Sequence, residues 1–123
     1  MSKQFKFVKT PLNGLMRLER KVIVDDRGHF SRLYCAEDLI GIGNKKSIAQ
    51  INHTLTRKKG TVRGMHFQYP PHAETKIVSC IKGEVYDVAI DLRKGSPTVL
   101  QWHVEILREN DCASFYIPDG FAH

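Results

Sequence analysis

Short runs of β-branched and aromatic residues, each closed by Gly, Pro, Asn or Asp, recur along most of this sequence and set its fold class. Val22-Ile23-Val24 and residues 30–34, 47–52, 76–81, 85–91, 99–107 and 113–117 carry that signature, and such residues suit a pleated, half-buried surface. Between them stand Asp25-Asp26-Arg27-Gly28, Lys82-Gly83, Lys94-Gly95-Ser96-Pro97 and Glu109-Asn110-Asp111, turn marks spaced as hairpin connections. One short helix is expected over Ala36–Ile40, where Glu37-Asp38 suits the positive end of a helix and Gly41 closes it. Regularly spaced strands with almost no helix predict an all-β domain, a sandwich or a jelly roll in which two sheets share one core. Periodicity does not choose between the two.

At 123 residues the chain, read as one unit over 1–123, has room for a single domain. Hydrophobic residues make up 41% and charged residues 26%, the balance of an ordinary globular chain, which excludes disorder and fibrous repeats. Lys and Arg number 19 against 13 Asp and Glu, a net charge of +6 that favours an anionic ligand. The basic runs Arg57-Lys58-Lys59 and Lys45-Lys46 are short and loop-like, so they read as solvated turns and not as a nucleic-acid surface. Cys35, Cys80 and Cys112 are odd in number, far apart and outside any CxxC pair, which points to reduced structural thiols. No stretch approaches the ~20 apolar residues of a membrane span. The start Met1-Ser2-Lys3-Gln4-Phe5 lacks the apolar core of a signal peptide, so a cytoplasmic chain without a membrane partner is expected.

Alternation through residues 85–91 puts Val85, Asp87, Ala89 and Asp91 on one face and Tyr86, Val88 and Ile90 on the other. Asp87 therefore sits among small apolar neighbours. A carboxylate held there needs a partner, because an unpaired buried charge is costly, and Lys76 is the expected one.

The densest chemical information lies in Arg63-Gly64-Met65-His66-Phe67-Gln68, Lys76, Gly83-Glu84-Val85-Tyr86-Asp87 and Pro118-Asp119-Gly120-Phe121-Ala122-His123. Together with Asp26-Arg27-Gly28, Gln50, Asn52-His53 and Ser96-Pro97-Thr98, these blocks follow an order and spacing that resembles the cupin superfamily. More specifically they resemble the dTDP-4-dehydrorhamnose 3,5-epimerase family, over nearly the whole chain. The resemblance implies a cupin-type jelly roll and an epimerase that inverts carbons beside the 4-keto group of a dTDP-linked deoxysugar. It implies His66 as the base and Lys76 as the group facing the keto oxygen. Arg27, Gln50, Asn52, Arg63 and His123 match substrate-contacting positions, while Asp87, by its place in the strand alternation, is expected as a supporting residue. It implies no cofactor, and a homodimer in which the neighbouring subunit supplies part of the contact.

The chemistry accounts for these residue types. A carbon next to a ketone carries a weakly acidic hydrogen, so a base must take the proton, a positive group must stabilise the enolate and an acid must return a proton from the opposite face. Imidazole suits the first task near neutral pH, and a planar guanidinium fork suits diphosphate oxygens.

The sequence departs from the family in two ways. It stops at His123, whereas the family continues through strands that supply a tyrosine proton donor and an aspartate that orients the catalytic histidine. The expectation is therefore a fragment of a longer epimerase, its jelly roll incomplete on the C-terminal side. Arg32 also stands where the family has an acidic substrate-contacting residue, which reverses the local charge.

Two other readings compete. A metal-dependent cupin uses an HxH element, a later acid and a histidine after PxG. Pro118-Asp119-Gly120 with His123 supplies the last, but His66-Phe67-Gln68 replaces the second histidine with an amide, a poor ligand for zinc or iron(II), so no metal is expected. A non-catalytic sugar-nucleotide-binding cupin is the other. His29, His53, His72 and His103 read as surface or packing residues, and Phe67, Tyr86, Trp102, Phe115 and Tyr116 as core or subunit contacts.

Overall fold

The computed structural model describes residues 4–123; Met1, Ser2 and Lys3, on which the reading of the N-terminus partly rests, lie outside the described residues. Strands β1 (Phe5–Lys9) and β2 (Met16–Arg20) open the chain as an antiparallel pair in which Phe7 lies opposite Leu18. Strands β3 (Val22–Asp25) and β4 (Gly28–Ser31) form a hairpin whose two-residue loop is Asp26-Arg27. The short helix α1 (Ala36–Ile40) follows, then β5 (Lys76–Ser79), β6 (Glu84–Asp91), β7 (Trp102–Arg108), β8 (Ala113–Ile117) and β9 (Phe121–Ala122).

Two antiparallel sheets make the body of the fold. One has the order β1-β2-β8-β5 and the other β7-β6-β9, while β3 and β4 pair only with each other. Strand β8 is buried along its whole length because it is covered on both sides. Its Phe115 and Ile117 join Leu12, Leu15, Ala89, Leu107 and Phe121 in the core between the sheets. Tyr116 points the other way and packs with Phe5, Leu18 and Leu39 of α1. Alternation along one strand thus feeds two apolar clusters, each large side chain contributing about 1.5–3 kcal/mol on burial.

The all-β expectation holds, α1 spans the expected residues, and the three cysteines are free thiols. Several strand expectations need correction. Residues 47–52 form no strand; they belong to a largely exposed, irregular segment over 44–75, where Ile48 and Ile51 find no strand edge to pair with. The strand expected over 30–34 begins at Gly28 and ends at Ser31, because the tight turn at Asp26-Arg27 fixes its register against β3. The strand expected from Val99 begins at Trp102, since Leu100 adopts a φ of 65° and closes a turn by bonding its amide to the Asp91 carbonyl. Strands β1 and β2 were not expected: Lys6, Lys9, Arg17, Glu19 and Arg20 interrupt their apolar residues. The alternation assigned to β6 is borne out, with Ala89 and Asp91 fully buried and Tyr86 exposed. Phe115 and Tyr116 are core residues, whereas Phe67, Tyr86 and Trp102 are exposed.

Candidate functional site

His66 and His123 exchange two backbone hydrogen bonds: the His66 amide donates to the His123 carbonyl at 2.7 Å, and the His123 amide donates to the His66 carbonyl at 3.1 Å. Residues paired this way on antiparallel segments present their side chains on the same face. The bridge extends the β7-β6-β9 sheet onto the irregular segment that carries His66. Gly64 makes the approach possible. It has a φ of +103°, and a Cβ there would meet the His123 carbonyl oxygen at 2.8 Å and His66 Nδ1 at 3.3 Å.

The His123 ring in turn meets Asp87, with Nδ1 3.1 Å from Oδ1 and side-chain exposures of 23% and 11%. This corrects the expectation that Lys76 pairs with Asp87. Lys76 stands at the start of β5 with its Nζ 3.8 Å from Glu74, which draws its ammonium toward the loop before the strand. Opposite Asp87 in register lies Glu105 of β7. Like charges facing across a sheet repel, but Glu105 accepts a bond from Arg17 at 3.1 Å and lies 3.0 Å from His103 Nε2. Of the two readings, surface or packing, His103 takes the second: it belongs to an internal network with Glu105 and lies against Phe115.

Two carboxylates that the sequence reading did not single out hold this region together. Asp91, fully buried at the end of β6, accepts bonds from the Arg93 amide, Nε and guanidinium and from the Ser96 and Thr98 hydroxyls, at 2.6–3.0 Å. Burial alone would raise its pKa, but those donors outweigh burial and hold it far below the usual carboxylate range. The Arg93 guanidinium also lies 4.7 Å over the Phe121 ring of β9. Asp119 accepts from Thr75 at 2.7 Å and from Lys46 at 2.5 Å, tying both ends of the 44–75 segment to the turn before β9. Burial opposes its ionisation, yet Lys46 and Thr75 lower its pKa. Lys46 is thus an anchored residue, although its run reads as a solvated turn. The Pro118-Asp119-Gly120 block and the Ser96-Pro97-Thr98 block carried these signals.

The other expected ligand residues lie elsewhere. Arg27 sits at the tip of the β3–β4 hairpin, 87% exposed, with its guanidinium on Asp25 at 2.6 Å. It borders an open groove of about 480 Å³ that also involves Asp26, His29, Asn110 and Cys112. Arg63 Nε donates to Thr56 at 3.1 Å, and the Asn52 amide lies 3.5 Å from Gln50 Oε1, all on exposed loop. Among the described residues no hydrogen bond or ion pair joins Arg27, Gln50, Asn52 or Arg63 to the His66–His123–Asp87 chain. Arg32 is exposed just beyond β4.

Two antiparallel sheets closed over one core, with a histidine pair and a carboxylate on the inner face of the β7-β6-β9 sheet, define an all-β jelly roll of the cupin type. The profile of the dTDP-4-dehydrorhamnose 3,5-epimerase family matches residues 9–123. A dTDP-4-dehydrorhamnose 3,5-epimerase from Salmonella typhimurium is 43% identical over 119 residues, covering 94% of this chain and 63% of that protein. One from Methanothermobacter thermautotrophicus is 37% identical, covering 98% of this chain and 64% of its own length. The crystal structure of the Bacillus anthracis epimerase with TDP and PPi bound superposes with a TM-score of 0.92 at 39% identity, over 97% of this chain and 68% of that one. The Legionella pneumophila enzyme in complex with dTDP-4-keto-L-rhamnose gives a TM-score of 0.90 at 37% identity, over 97% and 63%. This chain belongs to the dTDP-4-dehydrorhamnose 3,5-epimerase family. It spans 63–64% of the length of those two curated relatives.

Proposed function

We propose that this protein is an isomerase that inverts carbons beside the 4-keto group of a dTDP-4-keto-6-deoxyhexose. The observation that carries the reading is the reciprocal backbone pairing of His66 with His123, in a chain of this family. It fixes the backbone at His66 while leaving the side chain exposed to an incoming substrate. His66 takes the proton from the carbon next to the ketone, and the C–H electron pair moves into an enolate whose negative charge gathers on the 4-oxygen. The Lys76 ammonium stabilises that charge. A proton delivered from an acid on the opposite face completes the inversion. No electron is gained or lost overall, so the reaction needs no redox cofactor.

Arg27 and Arg63 bind the diphosphate, and Gln50, Asn52 and His123 contact the remainder of the ligand. The working unit is a homodimer, as the family resemblance implies, in which a second copy brings some of these residues to the site. The exposed apolar residues Val24, Ile51, Val62 and Tyr69, at 73%, 84%, 88% and 74% exposure, support that association. The Legionella relative's complex with dTDP-4-keto-L-rhamnose supports the substrate class, and a soluble sugar nucleotide is consistent with a cytoplasmic site of action.

Hydrogen–deuterium exchange at the sugar carbons tests the reading directly. His66→Ala should abolish solvent exchange while leaving nucleotide-sugar binding largely intact, a loss of about 10²- to 10⁴-fold for a general base. Lys76→Ala should likewise reduce turnover more than binding. Wild-type exchange at both carbons flanking the ketone in His66→Ala would refute the mechanism.

A further inference from the structure

We infer that Asp87 is a positioning residue for His123: its carboxylate selects one tautomer of the imidazole and thereby decides what the ring offers to a ligand beside His66. The inference rests on the functional reading above only for the identity of that ligand.

The geometry follows from sheet register. Strand β9 pairs with β6 so that Ala122 faces Ile90 and Phe121 faces Asp91, and one further step sets His123 opposite Ala89. Ala89 is fully buried on the inner face of β6, the face that also carries Asp87. His123 therefore projects inward, diagonal to Asp87, within reach of a long side chain. The observed contact, His123 Nδ1 to Asp87 Oδ1 at 3.1 Å, is that diagonal. An ionised carboxylate can only accept, so Nδ1 carries the hydrogen and Nε2 on the far side of the ring carries the lone pair whenever the ring is neutral.

The surroundings leave Asp87 free for this work. The other charged group facing it from β7, Glu105, is occupied by Arg17 at 3.1 Å and His103 at 3.0 Å. Lys76 is drawn to Glu74. The His66–His123 backbone bridge then puts the oriented ring on the same face as His66. A sugar hydroxyl arriving beside His66 meets an acceptor nitrogen, not an N–H. Asp87 thus acts through His123 on binding and orientation, whereas His66 acts on the proton.

Long-range ¹H–¹⁵N spectra of the protein report the tautomer of each histidine directly. In its neutral form His123 should show a protonated Nδ1 and a bare Nε2. Asp87→Asn, whose amide can donate to Nδ1, should shift the signals toward the Nε2–H form, and Asp87→Glu should restore the original pattern. In steady-state assays Asp87→Asn should raise KM about 10- to 100-fold with a smaller change in kcat, the cost expected of a misoriented contact. A wild-type His123 in the Nε2–H form would overturn the inference without recourse to any variant. So would an Asp87→Asn protein with an unchanged His123 spectrum, or one with a changed spectrum and an unchanged KM. The tautomer measurement is independent of catalysis, so loss of the epimerase reading through the His66→Ala exchange experiment would be recognised separately.

Discussion

Replacing Asp91 by Ala should be among the most damaging single changes available outside the site itself. The carboxylate has no solvent exposure and collects five hydrogen bonds, three from Arg93 and one each from Ser96 and Thr98. Arg93 is 29% exposed and can turn to water once released, which limits the cost of its lost partner. The two hydroxyls and the Arg93 amide lose their acceptor in a place where water replaces it poorly, and Arg93 loses its seat over Phe121. Removing one member of such a buried pair costs about 3–5 kcal/mol. With a urea slope of about 1–3 kcal/mol per molar, the unfolding midpoint should fall by roughly 2 M. The pH dependence provides a second reading. Since Asp91 has a lowered pKa in the folded chain, its stabilisation is complete above the ordinary carboxylate pKa of about 4 and drains away as pH falls toward the folded value. Asp91→Asn should remove that part of the acid sensitivity, giving a flatter stability profile below about pH 4. Urea titrations of wild type and both variants at several pH values decide the matter. An Asp91→Ala protein within about 1 kcal/mol of wild type would refute the argument, because surface-like changes stay near that limit.

Gly64→Ala forces a side chain into a left-handed conformation and onto the His123 carbonyl; it should cost about 1–3 kcal/mol in denaturant titration and reduce solvent exchange further than the stability loss explains. Lys46→Ala breaks an exposed ion pair worth at most about 1 kcal/mol, whereas Asp119→Ala also frees Thr75 and should make residues 44–75 markedly more sensitive to limited proteolysis. Elemental analysis of the purified protein should find no stoichiometric zinc, iron or manganese, since Gln68 occupies the place of a second histidine ligand; one bound equivalent would favour the metal-dependent reading.

What the sequence made legible follows from local physics. Strands β6 and β8 are dense in β-branched and aromatic residues, and α1 has its acidic start and glycine stop, so each was readable from a short window. Strands β1 and β2 were not, because their charges mask an alternation that becomes meaningful only when β8 pairs along the edge of β2. The same limit explains the error over Asp87. Its need for a partner was evident from the alternation, but the identity of that partner depends on how β9 lies along β6. No local rule reveals that register. Nor could any window show that Asp119 would gather Lys46 and Thr75. The ligand residues matched by family resemblance remain distributed over separate loops within one chain.

The backbone bridge between His66 and His123 also orders events in time. Both partners are needed to hold the base, and a segment that contains five of the strands separates them. On a ribosome adding about 5–20 residues per second, the histidine emerges several seconds before its partner. During that interval Gly64 and its neighbours have nothing to close against, and closing so long a loop is a slow, non-local step. The β1–β2 and β6–β7 pairs can therefore form before the base is fixed, whereas β8, which joins β2 to β5, arrives only just ahead of His123. Recovery of solvent exchange in a refolding experiment should lag the recovery of strand signal, making proton exchange a late reporter of folding.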